Sequence, residues 1–287
     1  MNYSPLRYPG GKARITPLVK MLMESAGVHH GCYIEPFVGG GGVALSLLLN
    51  DKVSRIVIND YDISIYSVWH AILNETNKLI SLIEKTPITI EEWHRQKNIF
   101  ANNNDKYSLE LAFATFFLNR TNRSGILKAG PIGGYDQNGR YLIDARFNKL
   151  KLINKIIKIS EHKQKIYLYN QDIEQFILET LPNYADNSFI YFDPPYYKKG
   201  RELYKNFFTP KDHDRIAELL FHLNIPWMIT YDNEDYIENL YSKNYIKKYD
   251  INYCLANKGK DNEIIALSTN FWPRENELEK LKFNIKG

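Results

Sequence analysis

Short apolar stretches with the composition of buried strands alternate along this chain with stretches of helical periodicity. This alternation limits the possible folds more than any other feature, because it is the signature of a parallel sheet covered by helices. Parallel strands are predicted at residues 32–37, 55–59, 165–169, 188–192 and 226–230, followed by an antiparallel pair at 245–253 and 263–269. We therefore expect an α/β fold with a doubly wound, Rossmann-like sheet, in which ligands bind at the carboxyl ends of the strands.

The tetrapeptide Asp193-Pro194-Pro195-Tyr196 follows one of these strands directly. Two prolines fix φ twice and remove two N–H donors, so the segment presents carboxylate and carbonyl acceptors and then an aromatic ring. Acceptors from Asp193 and Pro194 suit the two protons of an exocyclic amine, and the ring of Tyr196 suits stacking on the base that carries it. These four residues are the candidate catalytic residues. The alternative is a strand-end turn with a capping aspartate.

A glycine loop, Phe37-Val38-Gly39-Gly40-Gly41-Gly42, connects the first strand to an apolar helical stretch. Strand, glycine loop and helix in this order present backbone N–H groups to a nucleotide-like ligand. Asp60 follows the second strand, where a carboxylate can accept from both hydroxyls of a ribose. Capping of the helix that begins near Asp62 is the alternative for Asp60. The loop lacks the Gly-x-Gly-x-x-Gly spacing of a dinucleotide enzyme, which argues against a dehydrogenase.

Two further segments lie at predicted helix starts. Tyr8-Pro9-Gly10-Gly11-Lys12 predicts a turn that lets the backbone approach a ligand, with a lysine that can face a carboxylate or help close the site. Read alone, this segment is only a turn. Asp172 follows the third strand, and Gln175 three residues later predicts a capping box.

Positive charge is concentrated in one part of the chain. The formal net charge is +4, but residues 120–165 contain eleven Lys or Arg against three acidic residues, a local charge of +8 that leaves −4 elsewhere. Arg and Asn suit base edges and Lys suits phosphates, so this segment favours DNA binding, with a solvated loop and a solvated lysine face as the alternative. Phe208 is either a ring that stacks on a base opposite Tyr196 or a staple at a helix start. The candidate DNA contacts are Arg120, Asn122, Arg123, Lys128, Arg146, Lys151, Lys155 and Phe208.

The sequence predicts no membrane segment, disulfide framework or metal site. It begins without an apolar leader and has no apolar run long enough to cross a bilayer, which favours the cytoplasm. Cys32 and Cys254 lack metal-ligand spacing and are expected to be core thiols.

The order of these motifs resembles that of the Dam-like N6-adenine-specific DNA methyltransferases, and the resemblance runs over most of the chain. It rests on the Gly-Gly-Lys turn, the glycine loop, the acid after the second strand and the Asp-Pro-Pro-Tyr segment. The resemblance implies duplex DNA as partner, an adenine flipped out of the helix as methyl acceptor, and a target-recognition region where the basic segment lies. The family often has Trp where this chain has Tyr8. The implied cofactor is S-adenosylmethionine without a metal, bound by Tyr8, Lys12, Phe37, Gly39, Gly41, Asp60 and Asp172.

We expect residues 1–87 and 165–287 to form the catalytic domain and residues 88–164 to form a mostly helical inserted target-recognition domain. Related acceptor segments occur in enzymes that methylate other planar amines, so cytosine N4, RNA adenine and protein glutamine remain alternative substrates. A catalytically silent DNA-binding protein is an alternative of another class. A companion restriction endonuclease is a possible partner. Neither the recognition sequence nor the oligomeric state follows from the sequence.

Overall fold

One mixed sheet with helices on both faces forms the centre of the computed structural model, which describes residues 3–8, 11–102, 105–198, 208–251, 261–271, 273 and 285–286. Within these residues the strand order is β3-β2-β1-β4-β5-β7-β6-β8. The strands are β1 (Cys32–Glu35), β2 (Arg55–Asn59), β3 (Ile166–Tyr169), β4 (Ser188–Phe192), β5 (Trp227–Asp232), β6 (Tyr245–Ile251), β7 (Asp261–Leu267) and β8 (Ile285–Lys286).

Strands β1 to β5 are mutually parallel, and β7 joins the sheet antiparallel to β5. The strand order reverses at β1, which pairs with β2 on one side and β4 on the other. Such a switch point opens a crevice at the carboxyl ends of the strands. The predicted doubly wound sheet with its terminal antiparallel pair is therefore confirmed.

The helices that the structure describes connect these strands and cover the sheet. They are α1 (Thr16–Ser25), α2 (Gly42–Leu49), α3 (Ile63–Asn74), α4 (Thr76–Lys85), α5 (Ile90–Asn102), α6 (Leu109–Thr121), α7 (Lys149–Ser160), α8 (Ile173–Gln175), α9 (Pro210–Phe221) and α10 (Asp235–Leu240). Helix α8 continues as a π-type turn over Phe176–Thr180. None of the helices described is long and apolar enough to cross a membrane.

The core consists of two layers, one on each face of the sheet. Alternate strand residues point to opposite faces, so Tyr33 packs in one layer and its neighbour Ile34 in the other. The first layer contains side chains of α1, α2 and α3, and the second contains side chains of α9 and α10. Burial on both faces explains why the parallel strands read as continuous apolar stretches.

Helices α6 and α7 share the first core layer with α3, so the basic segment is packed against the sheet's own helices. The buried residues that they contribute are Ala112, Phe113, Phe116, Phe117, Leu118, Leu152, Ile156 and Ile159. The division into a catalytic domain and an inserted domain at residues 88–164 stays a prediction.

The helix predicted to begin near Asp62 is followed directly by a second helix, so that α3 and α4 are separated by one residue. The backbone bends at Glu75, which has φ −129° and ψ 35°. The carboxylate of Glu75 accepts from the hydroxyl of Tyr107, which ties the bend to the segment before α6. The apolar residues on both sides of the bend remain buried, so periodicity alone did not reveal it.

Candidate active site

A cavity of ≈ 840 Å³ opens at the carboxyl ends of the parallel strands. Its size lies within the range of about 300–1,000 Å³ that is usual for small-molecule sites. Segments that are far apart in sequence meet in its wall. The lining includes Arg7, Tyr8, Lys12, Glu35, Phe37, Gly39, Gly41, Asp60, Arg120, Lys155, Asp172, Asp193, Pro195 and Phe208.

The glycine loop forms one wall with bare backbone. Gly39 and Gly41 have φ of 44° and 58°, in the left-handed region that favours glycine. A Cβ on Gly39 would lie 2.8 Å from the ring of Tyr8, and one on Gly41 would lie 2.7 Å from the ring of Trp69. The indole of Trp69 donates to the carbonyl of Gly39 over 3.0 Å. Both glycines are therefore required for the path of the loop, and Tyr8 packs against it.

Asp60 is oriented toward the cavity by two backbone donors. Its Oδ2 accepts from Gly39 N at 2.9 Å and its Oδ1 from Asp62 N at 3.0 Å. Burial, followed by the nearby charge of Asp62, raises the pKa of Asp60 to about 7. The side-chain cap of α3 comes from Asp62, which accepts from Ser64 N, so capping is not the role of Asp60.

Asp172 caps α8 and also lines the cavity. Its Oδ1 accepts from Glu174 N and Gln175 N, each at 3.0 Å. The predicted capping box is wrong in its second half, because the side chain of Gln175 donates to Glu179. One Asp172 oxygen satisfies the helix start, which leaves the carboxylate compatible with a ligand.

Asp193 lies at the centre of a buried polar network. Its Oδ1 accepts from Thr230 Oγ1 at 2.8 Å and lies 3.4 Å from Lys12 Nζ. Lys12 Nζ also lies 3.2 Å from Glu263 Oε1 and donates to the hydroxyl of Tyr196. Burial raises the pKa of Asp193, Lys12 opposes that rise, and Glu263 adds to it. Lys12 thus connects the Asp-Pro-Pro-Tyr segment to a second carboxylate.

Two acidic residues of this region, Glu35 and Glu263, were not among the predicted site residues. Glu35 lines the cavity and accepts from Ala44 N at 3.2 Å, and burial, then the charge of Asp193, raises its pKa well above the usual value. An acid at the end of β1 was a signal available in the sequence. Glu263 had no such signal, because only the sheet order brings β7 beside β5.

Arg7, Arg120 and Lys155 line the edge of the cavity, and Arg146 lies beside Arg7 and Arg120; we call these four residues the cation cluster. Burial is the main cause of a lowered pKa at Arg7, Arg120 and Lys155, and a neighbouring cation of the cluster lowers each further, to about 10 for Arg120. Arg120 Nε donates to the carbonyl of Arg146 at 2.7 Å. None of the four pairs with a carboxylate of the described residues. Among the residues that the structure describes, the cluster is therefore a region of uncompensated positive charge.

Asn119, at the end of α6, fixes this arrangement. Arg7 N donates to Asn119 Oδ1, and Asn119 Nδ2 donates to the carbonyl of Arg7, both over 2.7 Å. Arg7 Nη1 also donates to the carbonyl of Asn122 at 2.8 Å. These bonds hold the N-terminal segment against the basic segment.

The remaining candidate DNA contacts occupy different environments. Arg123, Lys128 and Lys151 are exposed. Asn122 is fully buried: its Oδ1 accepts from Trp93 Nε1 at 2.6 Å, and its Nδ2 donates to the carbonyls of Ile126 and Leu127. An amide occupied in this way holds the loop in place and presents no edge to a base.

Phe208 has the contact expected of a staple at a helix start. It precedes Thr209, the N-cap of α9, and its ring lies 5.5 Å from that of His213 in the first turn. The same ring lies 5.9 Å from Phe37 and lines the cavity. Pro9, Gly10 and residues 199–207, which belong to the turn and to the loop after the Asp-Pro-Pro-Tyr segment, lie outside the described residues.

Comparison with known proteins identifies the family of this chain. Residues 8–253 match the family described as D12 class N6 adenine-specific DNA methyltransferase. The chain belongs to this family. The methyltransferase is thus an enzyme of S-adenosylmethionine-dependent DNA adenine methylation, and its sheet is that of the α/β methyltransferase fold. The predictions of an α/β methyltransferase fold and of DNA adenine methylation are therefore confirmed.

Three relatives illustrate the family. The methyltransferase is 28% identical over 210 residues to the type II methyltransferase M.MjaIII of Methanocaldococcus jannaschii, an alignment that covers 67% of this chain and 68% of that protein. It is 25% identical over 213 residues to the type II methyltransferase M1.LlaDCHI of Lactococcus lactis subsp. cremoris, with coverage of 68% and 66%. It is 22% identical over 283 residues to the DNA adenine methylase of Escherichia coli K12, with coverage of 93% and 95%.

Proposed function

We propose that the cavity holds S-adenosylmethionine beside an adenine flipped out of duplex DNA, and that the methyl group passes to the N6 amine of that adenine. The observation that carries the proposal is the convergence of three parts on one cavity: the glycine loop with Asp60, the carboxylate of Asp193, and Arg7, Arg120 and Lys155 of the cation cluster. The same cavity thus offers a binding site for the methyl donor, an acceptor for an amine and, at its edge, a surface for phosphate groups.

The glycine loop and the acids beside it form the proposed cofactor seat. S-adenosylmethionine supplies an electrophilic methyl group on a sulfonium sulfur. Asp60 would accept from the ribose hydroxyls, and Asp172 would accept from the adenine of the cofactor. Glu35, at the loop's other side, would accept from the ammonium group of the methionine part. The fit is supported by the loop itself, since a Cβ at Gly39 or Gly41 would collide with a neighbouring ring and alter the path of this wall.

Asp193 and the carbonyl of Pro194 form the proposed seat for the target amine. The Asp193 side chain is 24% exposed, whereas that of Lys12 beside it is 5% exposed, so the carboxylate is the part of the pair that a substrate can reach. Hydrogen bonds from both amine protons to these acceptors would direct the nitrogen lone pair toward the methyl group. The nitrogen lone pair would then form the new N–C bond, the electrons of the broken S–C bond would stay on sulfur, and the amine would lose one proton to water.

Tyr196 would stack on the flipped base. Its hydroxyl accepts from Lys12, which fixes the ring relative to Asp193. Base–aromatic stacking contributes about 1–3 kcal/mol per base, which offsets much of the few kcal/mol lost when a base leaves the helix.

The cation cluster would contact the phosphate backbone beside the flipped nucleotide. Uncompensated cations at the edge of a substrate cavity are suited to phosphates, which carry no sequence information but fix the position of the duplex. The exposed Arg123, Lys128 and Lys151 extend this surface, and we leave the buried Asn122 out of it.

A companion restriction endonuclease that cuts the same sequence is a further part of the proposal. It is supported by the names of M.MjaIII and M1.LlaDCHI, which are both called type II methyltransferases.

The test is incubation of the wild type and of Asp193→Ala with S-adenosylmethionine and unmethylated DNA of mixed sequence, followed by modification-sensitive sequencing. Asp186→Ala is the matched control, because this exposed acid lies at the opposite end of the same strand region. We expect N6-methyladenine in one short sequence context with the wild type and the control, and none with Asp193→Ala. Full activity of Asp193→Ala would overturn the assignment of the amine seat.

A further inference from the structure

A second carboxylate lies behind the candidate active site, on the far side of Lys12 from the cavity. Glu263 Oε1 is 3.2 Å from Lys12 Nζ, and Asp193 Oδ1 is 3.4 Å from the same atom. The side chain of Glu263 is 2% exposed and does not line the cavity, whereas Asp193 does. Glu263 therefore lies outside the wall that a substrate in the cavity contacts, and its ion pair with Lys12 connects it to Asp193.

The strand arrangement places Glu263 at this position. In the register of β5 with β7, Glu263 is opposite Asp232, at the end of β5. Asp232 accepts from Tyr197 N at 3.0 Å and Lys198 N at 2.9 Å, which anchors the backbone directly after Tyr196. Asp232 thus supports the Asp-Pro-Pro-Tyr segment through hydrogen bonds to the backbone that follows it, and Glu263 supports it through Lys12.

The charges of the network explain why a second carboxylate matters. With Lys12 and Asp193 alone, the ammonium would neutralise the carboxylate that has to attract an amine on which positive charge develops. With Glu263 beside Lys12 as well, two carboxylates share this ammonium, so it offsets the charge of Asp193 only in part. Opposite charges buried in a protein interior interact strongly, so this difference acts directly on the methyl transfer.

We propose that Glu263 is a positioning residue: it shares the ammonium of Lys12, so that Lys12 offsets less of the Asp193 charge that faces the target amine while it still holds the hydroxyl of Tyr196. The proposal rests on the roles proposed above for Asp193 and Tyr196. Strand β7, which contributes no described residue to the lining of the cavity, would thus take part in the reaction through Glu263.

The first experiment measures the single-turnover rate of methyl transfer for Glu263→Gln, with duplex DNA and S-adenosylmethionine bound beforehand. Glutamine keeps the shape of the side chain and removes its charge. We expect the rate to fall about tenfold or more while the KM for each substrate changes by less than about twofold, the pattern of an interaction that acts in the transition state. Glu84→Gln, at an exposed position of α4, is the matched control and should react at the wild-type rate. A wild-type rate for Glu263→Gln would overturn the proposal.

The second experiment asks whether Glu263 acts through Lys12. We expect the double variant Lys12→Met/Glu263→Gln to react no more slowly than Lys12→Met, because without the ammonium there is no charge for Glu263 to take up. If the double variant is slower than Lys12→Met by the factor that separates Glu263→Gln from the wild type, the proposal is wrong. Lys12→Met and the double variant both leave Asp193 without the ammonium of Lys12 and differ only in the charge at position 263, so their comparison tests the proposal even if Glu263→Gln alone fails to fold.

A pH profile separates positioning from a merely structural effect. The charged and titratable groups that face Asp193 are Lys12, Glu263, Glu35 and Tyr33. Since the charge of Glu263 raises the pKa of Asp193, the acidic limb of the plot of rate against pH should move to lower pH in Glu263→Gln. A lower rate with an unmoved limb would contradict the proposal. Absence of DNA methylation by the wild type, or its persistence in Asp193→Ala, would instead refute the proposed function.

Discussion

Replacement of Arg146 by methionine tests whether the cation cluster holds the phosphate backbone of DNA. Arg146 is exposed, and its link to Arg120 is made by its backbone carbonyl, so the substitution removes one charge and leaves that hydrogen bond in place. Each phosphate neutralised by a cation contributes about 0.9 to the slope of log affinity against log salt concentration. Four such contacts contribute about 3.6, which is about 150-fold in affinity between about 50 and 200 mM salt.

We therefore expect Arg146→Met to lower the slope by about 0.9, so that it loses about 3.5-fold less affinity than the wild type over this fourfold range of salt. The measurement is fluorescence anisotropy with a labelled duplex and a non-reactive analogue of S-adenosylmethionine. Lys52→Met is the control, because Lys52 is exposed in the turn before β2, at the amino ends of the strands. An unchanged slope for Arg146→Met would refute the phosphate contact. An equal decrease of the slope for Lys52→Met would show that the salt dependence follows the net charge of the protein and not the position of the cation.

Three further predictions concern the rest of the cavity and its support. The affinity for S-adenosylmethionine should fall as the pH drops below about 7, since protonation of Asp60, whose pKa is raised to about 7, removes a charged acceptor. In calorimetry, Asp60→Asn should bind S-adenosylmethionine weakly at every pH. A variant whose affinity depends on pH as strongly as that of the wild type would contradict this prediction. In urea unfolding, Gly41→Ala should lower the free energy of unfolding by about 2–5 kcal/mol, because the residue has positive φ and its new Cβ would collide with a buried ring. Gly27→Ala, at a position with positive φ and open space, should lower it by only about 1–2 kcal/mol. Equal losses for the two variants would exclude the collision. Asn122→Ala should lower the free energy of unfolding by about 1–3 kcal/mol, because the indole N–H of Trp93 loses its acceptor, with DNA affinity unchanged; weaker binding at unchanged stability would return Asn122 to the DNA surface.

The parallel sheet and the positions of the glycine loop and the Asp-Pro-Pro-Tyr segment could be predicted because each depends on neighbouring residues. Strand, loop and helix occur in succession at residues 32–49, and the strand before Asp193 is apolar throughout. The carboxyl ends of parallel strands meet at one edge, so local patterns were enough to place Asp60 and Asp193 near each other.

Contacts between distant segments could not be predicted in this way. Alternation along β7 indicates which residues share a face, but it does not show that β7 lies beside β5 and brings Glu263 to Lys12. Arg7 belongs to the cation cluster only because Asn119 binds its backbone.

Buried polar side chains in loops are a further limit. Asn122 resembles a DNA-reading residue in the sequence, because a polar loop residue has the same identity whether it faces a base or an indole inside the protein. The bend at Glu75 was missed for a related reason, since the apolar pattern continues through it.

The link between Lys12 and Glu263 spans 251 residues. At a synthesis rate of about 5–20 residues per second, the two partners leave the ribosome's catalytic centre about 13–50 seconds apart. The glycine loop, Asp60 and the Asp-Pro-Pro-Tyr segment are all made before β7, so the network of Lys12, Asp193 and Glu263 stays incomplete until the last strands of the sheet have been synthesised.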